Sequence, residues 1–112
     1  QACAPIPGLV NEARQTLGDN RVVARLLRVD GDCAATRGEL DEATAKLRES
    51  LSLSKRISDA VGERLDIELA LAKVLAENGS MDEARELAEE VASHASTPAT
   101  TRARAEALLK TP

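Results

Sequence analysis

No Phe, Tyr or Trp occurs in this 112-residue sequence. A core without aromatic rings is built from Leu, Val, Ile and Ala, and Ala-rich contacts demand closely spaced helices rather than the thick interior of a sandwich. The same absence removes the stacking platforms of single-strand nucleic acid binders, and a net charge of −4 leaves no basic face for a duplex. No apolar run approaches the ~20 residues that span a bilayer, so neither nucleic acid binding nor membrane insertion is expected. The chain lacks a starting Met and a charged-then-apolar leader, which points to a fragment of a larger protein or a processed product. Two Cys and one His are too few for a structural zinc site, and no Gly-rich phosphate loop appears, so no metal and no cofactor is expected.

What remains is 43% hydrophobic and 30% charged, the composition of one globular domain burying roughly two-thirds of its unfolded surface. Its organising stretch is Ala76-Glu77-Asn78-Gly79-Ser80-Met81-Asp82-Glu83-Ala84, which reads as a helix end, a tight turn and a new helix. Gly38-Glu39-Leu40-Asp41-Glu42-Ala43 repeats the pattern and Gly8-Leu9-Val10-Asn11-Glu12-Ala13 is a weaker third copy, at steps of 30 and 41 residues (8 to 38 to 79). Asn78 and Gly79 suit the left-handed conformation that closes a helix, and Ser80 with Glu83 predicts a capping box. Glu39 is a poorer cap.

Read in order, residues 1–8 form an extended lead-in governed by Pro5 and Pro7, and 9–18 a helix ended by Gly18-Asp19-Asn20. The second helix, Arg21 to Arg37, carries Val22, Val23, Leu26, Leu27, Val29, Cys33 and Ala34 in one sector. Gly31 weakens it by about 1 kcal/mol unless another backbone packs there. The third helix buries Leu40, Ala43, Leu47, Leu51 and Ser54 and breaks at Ser58-Asp59. The fourth, Ala60 to Glu77, is apolar around much of its circumference. The fifth, Met81 to Ala95, buries Met81, Ala84, Leu87, Ala88, Val91 and Ala92. Thr97 as N-cap and Pro98 at the first helical position open a sixth helix with Ala103, Ala107 and Leu108 inward. No segment alternates with period two, so the fold class is all-α.

The small residues around the turns resemble the tetratricopeptide repeat. Gly31, Gly38 and Ala43 match its pattern in one hairpin, and Ala72, Gly79 and Ala84 in the next. Leu47 fills the following large position, Ala88 only weakly, and the family's Trp and Tyr positions have no aromatic here. The resemblance spans about Arg21 to Ala95 and implies antiparallel hairpins stacked as a short right-handed α-solenoid of about six helices, in an extended-repeat variant similar to arrays in bacterial signalling and regulatory proteins. The implied division is a half-repeat helix at 9–18, repeats at 21–57 and 59–95, and a capping helix at 97–110. The implied role is a non-enzymatic scaffold binding a protein or peptide in a concave groove.

In that arrangement Arg21, Arg25, Arg28 and Asp32 on the second helix and Asp66, Lys73 and Glu77 on the fourth line the groove. Two readings stay open. The stripe recognises an acidic peptide or a chain-terminal carboxylate, or the 41-residue offset pairs Arg25 with Asp66 and Asp32 with Lys73 and the charges neutralise each other. The second leaves Arg21 and Arg28, opposite Gly62 and Leu69, to contact a ligand. Cys3 and Cys33 are expected near the same end of the first two helices, either bridged, closing a loop worth ~3 kcal/mol, or reduced. The compartment is read as cytoplasmic with free thiols and periplasmic or extracellular with a bridge. His94 at a helix C-terminus is read as structural. Alternatives to the scaffold are a small-ligand-sensing regulatory domain, with a closed apolar pocket, and a spacer or homodimer pairing through Ala-rich faces of helix five or six.

Overall fold

The chain forms six helices, α1 (Ile6–Leu17), α2 (Arg21–Thr36), α3 (Leu40–Lys55), α4 (Val61–Glu77), α5 (Met81–Ser93) and α6 (Ala99–Leu109), in a computed structural model that describes residues 3, 5–18, 20–57 and 61–110. Among those residues there is no strand, and no helix is long and apolar enough to cross a membrane. The expected break at Ser58-Asp59 and the start of the fourth helix at Ala60 lie outside the described residues.

Two glycine turns close the hairpins in the same way. Gly38 and Gly79 take φ of 79° and 87°, where a side chain is strained. Glu39 N–H then donates to Ala34 O (2.9 Å) and Gly38 N–H to Ala35 O (3.0 Å), while Ser80 N–H donates to Leu75 O (2.8 Å) and Gly79 N–H to Ala76 O (3.2 Å). This is the paired bonding that satisfies the last carbonyls of a helix. It overturns the predicted capping box: the Ser80 N–H that Glu83 should accept from is already committed to Leu75, and the Ser80 side chain makes no cap bond. Asn78 does not share the left-handed role, which falls to Gly79 alone.

Several boundaries move. Gly8 lies inside α1 with no positive φ, so the third copy of the motif is not a turn. Helix α1 starts at Ile6, before Pro7, because a proline in the first turn lacks only an N–H that would have no helical partner. Asn20 caps α2 by accepting from Val22 N–H at 2.8 Å. Helix α5 stops at Ser93, with His94 extended. Helix α6 starts after Pro98, and the Thr97 hydroxyl, buried, donates to Val91 O (2.6 Å) instead of capping α6.

Sequential helices pack as neighbours, and α4 additionally touches both α2 and α6, whereas α1 and α3, or α3 and α5, make no such approach among the described residues. The result is two layers, α2-α4-α6 and α1-α3-α5, in a body 41 × 32 × 21 Å, about two helix diameters thick. The α1-α3-α5 layer is spanned by long arginines: Arg14 reaches Glu49 (2.6 Å) and Arg48 grips Glu83 with two bonds (2.7 and 2.8 Å), both pairs 35 residues apart. The main core gathers Ala34, Ala43, Leu47, Leu51, Ile67, Leu71, Val74, Leu75 and Ala84 between α2 and α5. Val10, Val23, Ala24, Leu27 and Leu53 form a second cluster under α1, and Leu65, Leu69, Val91 and Ala105 a third under α6.

Helix faces differ from expectation at the ends of the array. Val22 and Val29 are 43% and 41% exposed, while Ala24 and Asp30 turn inward. Helix α6 buries Thr101 and Ala105, leaving Ala103 and Ala107 in solvent. On α5, Ala84 and Ala88 are wholly buried within the chain and so do not form a free face for pairing with a second copy.

Candidate functional site

The α2-α4-α6 layer carries a half-open cavity of about 520 Å³. Arg28, Asp32, Ala35 and Thr36 come from α2, Asp66, Leu69, Ala70, Lys73, Val74 and Glu77 from α4, and Thr101 and Arg104 from α6. Each helix delivers these residues at spacings of three and four, which place them on one face. The floor is aliphatic and the walls are charged, three cations facing three carboxylates.

Burial pushes the Asp32 carboxyl above its usual range, opposed by Arg28 and Lys73. Arg28 Nε stands 3.7 Å from Asp32 Oδ2, and this buried nitrogen has no hydrogen-bond partner among the described residues. Asp32 and Lys73 are thus within electrostatic reach across the α2-α4 boundary, as the 41-residue offset suggests. Arg104 forms no ion pair among the described residues.

Of the seven groove residues expected from the sequence, Arg28, Asp32, Asp66, Lys73 and Glu77 are brought together here, and Arg21 and Arg25 are not. Arg25 does not pair with Asp66. Its guanidinium instead bonds Glu63 Oε1, 3.2 Å from Nε, and Arg21 Nε lies 3.6 Å from the same oxygen. Helical side chains lean toward the N-terminus, so a long arginine on α2 meets α4 about one turn earlier than equal Cα height implies. Arg21 is therefore engaged rather than left over for a ligand. Thr101 and Arg104 are not legible from the sequence because α6 has no third copy of the repeat to fix its register.

Elsewhere the helices hold polar groups with structural work. Ser50 donates to Ala24 O (2.6 Å), joining α3 to α2. Buried Asp30 faces Lys46 Nζ at 3.7 Å. His94 Nδ1 accepts from Ser96 N–H (3.1 Å), and its carbonyl accepts from Arg102 (3.0 Å), which locks the α5-α6 bend. Cys3 and Cys33 are bridged, with Cα atoms 5.8 Å apart.

Glu68 on α4 is fully buried, and among the described residues no N–H or O–H donor hydrogen-bonds its carboxylate oxygens, Arg64 Nε standing 3.8 Å from Oε1. Burial, then the adjacent Glu90 carboxylate, raises its pKa from 4.5 to about 7, against the pull of Arg64 and Lys55. The sequence does not single this residue out, since a Glu within an apolar run gives no sign of which neighbours enclose it.

Compared with known proteins, the chain matches no family model, no curated protein and no solved structure.

Proposed function

We propose that this chain is a short α-solenoid resembling a tetratricopeptide array and acts as a non-enzymatic interaction module that holds a peptide segment of a partner protein in the α2-α4-α6 trough. The supporting observation is the unequal spacing of the two layers. Helix α4 comes close to both α2 and α6 along the backbone, while α1, α3 and α5 meet only through side chains, and a slab with that asymmetry curves toward the closer layer.

The trough suits an extended or helical peptide with apolar side chains for the Leu69-Ala70-Val74 floor and acidic groups for Arg28 and Arg104. Its charged walls and partial opening favour a peptide over a small apolar ligand. The disulfide fits an oxidising compartment, periplasmic or extracellular.

The test is selection of binders from a random peptide display library, followed by calorimetry. Selected peptides are expected to bind in the micromolar range, as is usual for recognition of a flexible segment. Arg28→Glu combined with Arg104→Glu should weaken them at least tenfold. Peptides that bind this variant and the parent equally would place recognition elsewhere.

A further inference from the structure

We infer that the Cys3–Cys33 bridge is a redox latch that keeps α1 on the body of the domain, so that a thiol reductant uncovers the apolar surface beneath it. The inference rests on how little else holds α1. Among the described residues the backbone of α1 comes close to that of α2 alone, its contact with α3 is confined to Leu53 in the cluster around Val10 and to the Arg14–Glu49 pair, and Val10 is its one fully buried residue. Its N-terminus has no side-chain cap, and a helix of 12 residues is marginal in water by itself. The Arg14–Glu49 pair that reaches α3 is about half exposed on both sides, a setting in which ion pairs contribute little.

The tether is placed where it matters. At its C-terminal end α1 is separated from α2 by residues 18–20 alone, and the bridge pins the opposite end to the last turn of α2. With both ends fixed, α1 stays over Val23, Ala24, Leu27 and Leu53, which close around Val10. With one end released, Val10, the partly buried Ile6 and Ala13 and the half-exposed Arg14–Glu49 pair are left to oppose the entropy of an unpinned helix.

Cys33 is 6% exposed and Cys3 half-buried, so the approachable sulfur is that of Cys3. A reductant thiolate attacks Cys3 Sγ, the S–S bond breaks, and Cys33 leaves as a thiolate and takes up a proton. A second reductant thiolate then attacks the mixed disulfide, releasing Cys3 as a thiol and the reductant as its own disulfide. Two electrons pass to the protein and two thiols of the reductant are oxidised.

Hydrogen exchange followed by mass spectrometry, on the oxidised protein and in millimolar phosphine reductant, tests the latch. Exchange of the α1 amides should rise to within about tenfold of unstructured rates on reduction, while those of α4 and α5 remain strongly protected. Cys3→Ser without reductant should reproduce the reduced pattern. Protection of α1 that persists after reduction overturns the inference. Simultaneous loss in all six helices overturns it too, since the bridge would then be a global staple.

Discussion

Gly31 and Leu47 share a space that admits only one of their side chains: a Cβ on residue 31 would lie 2.8 Å from Leu47 Cγ, 3.0 Å from Cδ2 and 3.3 Å from the Ala43 carbonyl oxygen. The glycine costs α2 helix propensity and gains the close approach of α3. At the 41-residue offset the pair becomes Ala72 and Ala88, both fully buried, so one hairpin sets a glycine against a large residue where the next sets two alanines.

Substitution at these positions should therefore couple. Gly31→Ala is expected to destabilise by about 1–3 kcal/mol despite the gain in propensity, and Leu47→Ala by about 2–5 kcal/mol. The double variant should be at least ~1 kcal/mol more stable than the sum of the two, because the new methyl group occupies part of the space that Leu47 vacates. Urea unfolding of the four proteins measures this, and strict additivity would separate the two sites.

Glu68 makes stability depend on pH in an unusual direction for a carboxylate. Its folded pKa of about 7 exceeds the ordinary 4.5, so the folded state holds the proton more tightly than the unfolded one. Stability from this group is full below about pH 4.5 and is lost as pH rises through 7. Glu68→Gln should remove that slope and be roughly 1–3 kcal/mol more stable than the parent at pH 8, with little difference at pH 5. Identical pH profiles for the two proteins would mean that the carboxylate finds compensation in Lys55 and Arg64.

Thr97→Val keeps the side-chain shape and deletes the hydroxyl that donates to Val91 O from a buried position. A loss of about 1–2 kcal/mol is expected. It should appear first as faster amide exchange in α6, whose buried contacts are few. Unchanged exchange in α6 would assign its docking to Ala105 and the Val91 cluster alone.

The trough variant Arg28→Glu with Arg104→Glu should leave the thermal midpoint within a few degrees of the parent, since exposed or half-exposed charges away from the core change stability by about 0.5 kcal/mol or less. Weakened peptide binding with an intact melting curve separates recognition from folding. A collapsed melting curve would instead make these arginines part of the framework.

By itself the sequence determined the all-α class, the number of helices and most of their limits, because these depend on 3.6-residue periodicity and on glycines whose conformation is local. It also determined which charges of α2 and α4 share a face. Only the tertiary structure decided which of them meet. Arg25 finds Glu63 rather than Asp66 because its reach is set by the lean of a long side chain, and the trough gains Arg104 because α6 folds back on α4. The burial of Glu68, the inward turn of Thr101 and the bridge between Cys3 and Cys33 likewise depend on helices distant in sequence. Periodicity along one helix carries no record of the neighbour that encloses it.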